Sequence, residues 1–441
     1  MRWLYTLLLY LALPFVTLIV AVRGLSNREY WRGWGERFGA GSRGAADGIW
    51  VHAVSVGEVQ AAAVLIDALA TRLPGVAIAL SCATPTARLR ARTLLPDVAV
   101  SYAPYDLPGS VRRCLRRLAP RLLIVLETEL WPNLLHQAQR SGVPVLFASA
   151  RVSERSVGRY RRVPGLLRAA LASGVWVGAQ SEADARRFAT LGVPAARISV
   201  VGNIKFDRAL PPGMIERGAR LRALWGAARP IWVAGSTHAG EEPIVLAAHR
   251  QLLGQQPHAL LIMAPRYPQR FAAAAATIGA QGFSFVRRSA GADGGDEAPG
   301  DYQVLLLDTL GELADFYAAA DVAFVGGSLV PIGGHNLLEP AALGVPVLSG
   351  PEQFNAPQVA ESLGAQGALT LVHDADELAA ALARLLSDPE ARAAQGAAGR
   401  AAIDANRGAL ARLVRLVEEL APARDVASSS GRPDASRHVS R

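Results

Sequence analysis

What most limits the fold of this 441-residue chain is a double series of short apolar runs, each trailed by a helical stretch. The first series runs through Ile49–Val54, Val76–Cys82, Val98–Ala103, Leu122–Leu126, Val143–Phe147 and Val175–Ala179, and ends at Ile198–Val201. The second starts afresh at Pro230–Ala234 and continues through Ala259–Ala264, Val304–Leu307, Val322–Val325 and Val345–Leu348. Runs that are apolar throughout, without alternation, suit strands covered on both faces, and the intervening helices supply the cover. Two parallel, doubly wound sheets are expected, divided at the Pro-rich break Leu210-Pro211-Pro212-Gly213. Residues 24–209 then form an N-terminal Rossmann-like domain and 210–422 a C-terminal one. Residues 289–301 read as a surface loop and 423–441 as a disordered tail. Ligands of open α/β sheets bind beyond the carboxyl ends of the strands, so the expected site is a cleft faced by both domains.

Ahead of the first domain, residues 1–23 read as a membrane anchor. No charged residue occurs from Trp3 to Val22. As a helix that stretch is roughly 30 Å long, the thickness of a hydrocarbon core. Arg23, Arg28, Arg32 and Arg37 follow it and only Arg2 precedes it, which places the rest of the chain on the cytoplasmic side of the membrane. Ala21-Val22-Arg23 is a poor site for signal-peptide cleavage. An interfacial helix satisfies the same pattern. The two cysteines, Cys82 and Cys114, provide no disulfide framework and fit a reducing compartment. Forty-six Lys and Arg against 37 Asp and Glu leave a net charge of +9, which favours an anionic partner. Aromatic residues make up only 6%, which argues against a nucleic-acid binder.

Candidate chemical groups cluster just after the strands. Ser55-Val56-Gly57-Glu58 opens a helix after the first strand, where Glu58 serves either the helix dipole or a general base. Glu127-Thr128-Glu129 ends another, and as strand residues its two carboxylates point the same way. In the second domain Pro265-Arg266 offers a planar fork for phosphate or carboxylate, and Leu310-Gly311-Glu312 opens a helix whose free amides favour anions. The run Gly326-Gly327-Ser328 to Gly333-Gly334-His335-Asn336-Leu337-Leu338-Glu339 allows close backbone approach and sets a carboxylate at ribose distance, the pattern of a nucleotide-sugar site. There is no Gly-x-Gly-x-x-Gly after the first strand and no Walker lysine, which disfavours dehydrogenases and P-loop NTPases. Lys205 is the one lysine in the chain. A chain that uses arginine everywhere else keeps lysine where a compact ammonium is needed.

Taken together, His52-Ala53-Val54-Ser55-Val56-Gly57-Glu58, Glu127-Thr128-Glu129-Leu130-Trp131-Pro132-Asn133, Gly202-Asn203-Ile204-Lys205-Phe206-Asp207 and the run from Gly326 to Glu339 resemble the 3-deoxy-D-manno-octulosonic acid (Kdo) transferases of lipopolysaccharide synthesis. The likeness extends from Trp34-Gly35-Glu36-Arg37-Phe38-Gly39 to about residue 420. It implies a GT-B fold and inverting transfer of Kdo from CMP-Kdo to a lipid A precursor (lipid IVA) at the inner membrane. It also implies that Glu58 is the general base and that Glu127 and Lys205 support the transition state. By the same likeness Pro265, Arg266, Leu310, Gly311, Glu312, Asn336, Leu337, Leu338 and Glu339 hold CMP. No metal or cofactor is expected. The nearest rival is another membrane-associated GT-B enzyme using a UDP-sugar and a lipid-linked acceptor, and a non-catalytic, membrane-anchored basic protein that binds nucleotide or nucleic acid is a second.

Overall fold

The computed structural model describes residues 1–41, 47–161, 164–172, 174–207, 210, 212–290 and 302–421. Most of the loop expected over 289–301 and the whole tail over 423–441 lie outside them. The chain folds into two units, one built from residues 1–208 with the stretch from 407 onward, the other from 209–406.

The first unit holds a seven-stranded parallel sheet. Its strands are β1 (Ile49–His52), β2 (Ile78–Cys82), β3 (Ala99–Tyr102), β4 (Leu122–Leu126), β5 (Val145–Ala150), β6 (Val175–Ala179) and β7 (Ile198–Val200), ordered β3-β2-β1-β4-β5-β6-β7. The order reverses beside β1, as in a doubly wound sheet. Four of the central strands are buried at nearly every position because helices cover both faces. One core layer joins β1 and β2 to the helix Val56–Arg72, and the other joins the opposite faces to Leu134, Leu135, Leu171 and Phe188.

The second unit repeats the plan with β8 (Ile231–Thr237), β9 (Leu260–Pro265), β10 (Phe285–Arg287), β11 (Val304–Leu306), β12 (Val322–Val325), β13 (Val347–Ser349) and β14 (Leu369–Leu371), ordered β10-β11-β9-β8-β12-β13-β14 and all parallel. Strands β10 and β14 were not expected. Each is three residues long, lies at an edge and is only partly buried, so neither carries the apolar run that marks a central strand.

The second domain does not extend to residue 422 as its sequence suggests. The last helix, Ala409–Leu420, packs its buried Leu413, Val414 and Val417 into the first unit's core beside Leu65 and Leu69. Its N-cap is Gly408, which has no side chain to accept the free amides. Asp207 supplies the acceptors, taking Gly408 N on Oδ1 and Leu410 N on Oδ2, both at 2.6 Å. Gly202, at φ 93, lets the backbone run close to Ala409, which a Cβ there would meet at 3.1 Å. The segment Gly202–Asp207 thus ties the returning C-terminal helix to the end of the first sheet.

The stretch after the N-terminal helix is also held by its sequence. Glu36 accepts Arg88 Nη2 at 2.6 Å and Tyr102 N at 2.8 Å, and Arg37 is buried with its guanidinium 3.9 Å over the Tyr102 ring. Arg113 and Arg117, from the arginine-rich helix Pro108–Leu118, donate to Phe38 O and Gly41 O at 2.9 and 3.0 Å. Cys82 and Cys114 are free thiols in the core.

Asp207→Ala leaves two helix amides without this acceptor and removes a negative charge from a helix N-terminus. It should lower stability by about 1–3 kcal/mol in urea denaturation. A change within about 0.5 kcal/mol would show that the C-terminal helix docks without this cap.

Candidate functional site

In the first unit the polar groups gather past the carboxyl ends of β1, β4 and β5. Ser55 caps the helix Val56–Arg72, its Oγ accepting Glu58 N at 3.3 Å. Glu58 reciprocates: Oε1 accepts the Ser55 hydroxyl at 2.7 Å and Oε2 accepts Val54 N at 2.8 Å. The helix-terminus role is therefore present, but it does not exhaust the residue. Glu58 is 7% exposed. Burial pushes its pKa up to about 7 in spite of those two hydrogen bonds, and the neighbouring Glu127 and Glu129 add to the rise.

Glu127 is not a strand residue, since β4 ends at Leu126. Its φ of 52° is left-handed, a region that residues other than glycine seldom occupy and that costs of order 1–3 kcal/mol. Lys205 Nζ donates to Oε1 at 2.7 Å and Arg151 Nε donates to Oε2 at 3.3 Å. Burial alone would raise the Glu127 pKa, but these two cations outweigh it and hold the carboxyl below its ordinary value. Glu129 turns elsewhere, accepting Trp131 Nε1 at 2.8 Å, and burial raises its pKa. The expected parallel pair of carboxylates is therefore replaced by two differently partnered groups. Lys205 itself is fixed by the turn Ile204–Asp207, where Asn203 Oδ1 accepts Lys205 N at 3.0 Å. Arg151 was not singled out in the sequence. It stands just past β5, and its pairing with Glu127 follows from the adjacency of β4 and β5.

In the second unit the loops after β8 and β12 are joined by a residue that no motif flagged. Glu241 is fully buried and accepts four backbone amides: His238 N and Gly327 N on Oε2, at 2.9 and 2.8 Å, and Ser328 N and Leu329 N on Oε1, at 2.9 and 3.0 Å. Gly326 has no room for a Cβ, which would meet Ser236 O at 2.9 Å and the Glu241 carboxylate at 3.0 Å. Ser236 repeats the left-handed strand-end geometry of Glu127, at φ 58. His238 Nε2 and His335 Nε2 are 2.7 Å apart with near-parallel rings. Burial pushes the His335 pKa down to about 4 and also lowers that of His238, with nearby Arg266 contributing to both.

The other predicted residues take these places. Pro265 ends β9, and Arg266 N donates to Thr237 O at 2.9 Å while its guanidinium is 5.5 Å from the Tyr267 ring centroid. Leu310 is 71% exposed and Gly311 adopts φ 93. Glu312 precedes the helix Leu313–Ala319 without capping it; its carboxylate accepts Arg288 Nη2 at 3.1 Å and the Thr309 hydroxyl. Asn336 Oδ1 accepts Leu338 N at 3.1 Å where the helix Leu338–Leu343 begins. Leu337 is buried, Leu338 is half-buried, and Glu339 lies in the first turn of that helix, close enough to raise the buried Tyr317 phenol electrostatically after burial has done most of it. Asp374-Ala375-Asp376 has the spacing of a metal-binding pair, but Asp374 caps the helix Ala375–Ser387 and Asp376 accepts Gln251 Nε2.

Residues 32–208 match the family model described as 3-deoxy-D-manno-octulosonic-acid transferase (kdotransferase), and residues 300–402 match glycosyl transferases group 1. A 3-deoxy-D-manno-octulosonic acid transferase of Haemophilus influenzae is 39% identical over 423 residues, 95% of this chain and 98% of its own. The enzyme of the same name from Bordetella pertussis is 38% identical over 432 residues, 95% of this chain and 99% of its own. Among solved structures, Neisseria meningitidis UDP-GlcNAc 2-epimerase bound to UDP-GlcNAc superposes with a TM-score of 0.54 at 13% identity, covering 84% of this chain and 98% of that one. Anabaena HepE in complex with UDP and glucose gives 0.53 at 16%, covering 85% and 99%. These two likenesses concern the fold, which is GT-B: two Rossmann-like units with parallel sheets.

A carboxyl whose pKa is raised by folding binds its proton more tightly in the folded chain than in the unfolded one. The stability that Glu58 contributes is fully present below the ordinary value of 4.5 and is lost as pH rises through about 7. Glu58→Gln cannot ionise. Between about pH 5 and pH 8, wild type should lose on the order of 1–3 kcal/mol more than the variant in urea denaturation. Identical pH dependence of the two proteins would show an unperturbed carboxyl.

Proposed function

The chain belongs to the 3-deoxy-D-manno-octulosonic acid transferase family, and we propose that its donor is CMP-Kdo, its acceptor a phosphorylated lipid A precursor (lipid IVA), and its working place the cytoplasmic face of the inner membrane. As a Kdo transferase it is a glycosyltransferase. The observation that carries the mechanism is Glu58, a buried carboxyl with a pKa of about 7 beside a second carboxylate that stays ionised. Two carboxylates separated in this way have different tasks, one to take a proton and one to remain charged.

The acceptor hydroxyl oxygen bonds to the anomeric carbon of Kdo while the bond from that carbon to the CMP phosphate oxygen breaks. The bonding electron pair leaves with CMP, and the hydroxyl proton passes to Glu58. One displacement with no enzyme-bound sugar inverts the anomeric centre. A positioned base of this kind contributes about 10²–10⁴ in rate. Glu127 and Lys205, 2.7 Å apart, act on the charge that develops at the sugar. CMP leaves as a phosphate anion and needs donors instead of an acid. Arg266 supplies a fork, with Pro265 fixing where it leaves β9, and Asn336, Leu337, Leu338 and Glu339 present a helix start and a carboxylate suited to a ribose diol. Leu310, Gly311 and Glu312 complete the donor site beside Arg288. No metal or cofactor enters the scheme.

Support for the lipid acceptor comes from the apolar helix Arg2–Ser26 and from the basic surplus of +9. Incubation of the full-length protein with CMP-Kdo and lipid IVA, with products read by mass, should add Kdo to the lipid. Transfer from a UDP-sugar in its place would overturn the assignment. Lys205→Arg keeps the charge but replaces a compact ammonium with a wide fork, on a carboxylate whose other oxygen Arg151 already holds. Turnover should fall at least about tenfold, roughly 1.4 kcal/mol of transition-state stabilisation. Wild-type kinetics in that variant would remove Lys205 from the mechanism.

A further inference from the structure

The helix Arg2–Ser26 is long and apolar enough to cross a membrane, and its 25 residues measure about 37 Å. A crossing helix separates its ends by a hydrocarbon core of roughly 30 Å and leaves its first turn on the far side from the domain that follows. Here both ends are fastened to the same unit. In the second turn Tyr5 OH donates to Asp106 Oδ2 at 2.9 Å and Thr6 Oγ1 donates to Asn133 Oδ1 at 3.1 Å. Neither acceptor is a loose surface group. Asp106 also accepts the amides of Asn133 and Leu134 at 3.1 and 2.7 Å, and Asn133 is fully buried. At the other end Trp31 Nε1 donates to Ala21 O at 2.8 Å, folding the chain back on the helix, and Tyr102 OH donates to Glu29 O at 3.1 Å. Asp106, Asn133 and Tyr102 all belong to the first unit.

The exposure of the helix follows the same arrangement. Leu4, Leu8, Leu11, Phe15, Leu18 and Val22, spaced alternately by four and three residues, lie on one face and are 55–69% exposed. Thr6, Leu9, Leu13, Thr17, Val20 and Gly24 share the opposite face and are buried or half-buried. An outward apolar stripe running the length of a 25-residue helix is far larger than the patches that soluble surfaces carry. Beside it, Arg23, Arg28 and Arg32 are exposed and Trp31 is 45% exposed, the residue types that settle among headgroups.

We infer that this helix does not span the bilayer. It lies along the first unit and presents its Leu4-to-Val22 stripe to the acyl boundary of one phospholipid leaflet, with the arginines among that leaflet's anionic headgroups. The protein is a monotopic one, clamped at both ends of its anchor. The inference rests on the membrane-borne acceptor proposed above, and topology separates the two.

The test uses the full chain with a protease-cleavable tag ahead of Met1 and a second after Arg441, reconstituted into sealed vesicles of phosphatidylethanolamine and phosphatidylglycerol. Protease is added from outside only, and the floated protein is sized. A monotopic anchor keeps both tags on one side whichever way the protein inserts, so each molecule should lose both tags or neither. Molecules that lose one tag only would establish a spanning helix and overturn the inference. Protein that fails to float with the vesicles would overturn it too, together with the membrane reading beneath it.

Discussion

Both units of this protein bury glutamates where strands of parallel sheets end. A buried carboxylate is costly unless donors meet it or it takes up a proton. Three glutamates meet the requirement in three ways. Glu241 accepts four backbone amides and becomes part of the frame that shapes the Gly326–Leu329 loop. Glu127 is met by Lys205 and Arg151 and stays charged in a left-handed backbone that the ion pairs help to hold. Among the described residues Glu58 receives a hydroxyl and one amide, and its proton affinity rises. The different donor sets, rather than the residue type, separate a structural carboxylate from a charged one and from one with raised proton affinity.

Much of this architecture is legible in the sequence because central parallel strands must be apolar at consecutive positions. β4 is read to the residue, and the restart of the pattern at Pro230 marks the second unit. The edge strands β10 and β14 are not legible, since a strand with one neighbour and partial exposure keeps no such run. The return of Ala409–Leu420 to the first unit is hidden for another reason. Its apolar face shows that the helix must pack, but the choice of partner is written in Asp207 and Gly202, two hundred residues upstream.

The site follows the same division. Motif residues that serve their own turn, such as Ser55, Glu58 and Asn336, can be found by spacing along the chain. Residues that act across the sheet cannot. Arg151 reaches Glu127 from the neighbouring strand, and Glu241 gathers amides from two loops nearly ninety residues apart in sequence. The lone lysine is an exception, because its rarity in an arginine-rich chain marks it without any knowledge of Glu127. The signal that could have found Glu241 is physical: a glutamate in the first turn of a helix after a strand, facing the successive amides of Gly327, Ser328 and Leu329, which need an acceptor.

The most direct measurement is the turnover of Glu58→Gln in Kdo transfer to lipid IVA, taken across pH beside wild type and with CMP affinity determined on both proteins. The amide keeps the shape and removes the basicity. Wild-type turnover should rise with pH through about 7, as Glu58 loses its proton. The variant should fall by at least about 10²-fold, lose that rise and bind CMP as wild type does. Turnover within about threefold of wild type, with the same pH profile, would contradict the account, because the buried carboxyl would then not be the group that accepts the proton.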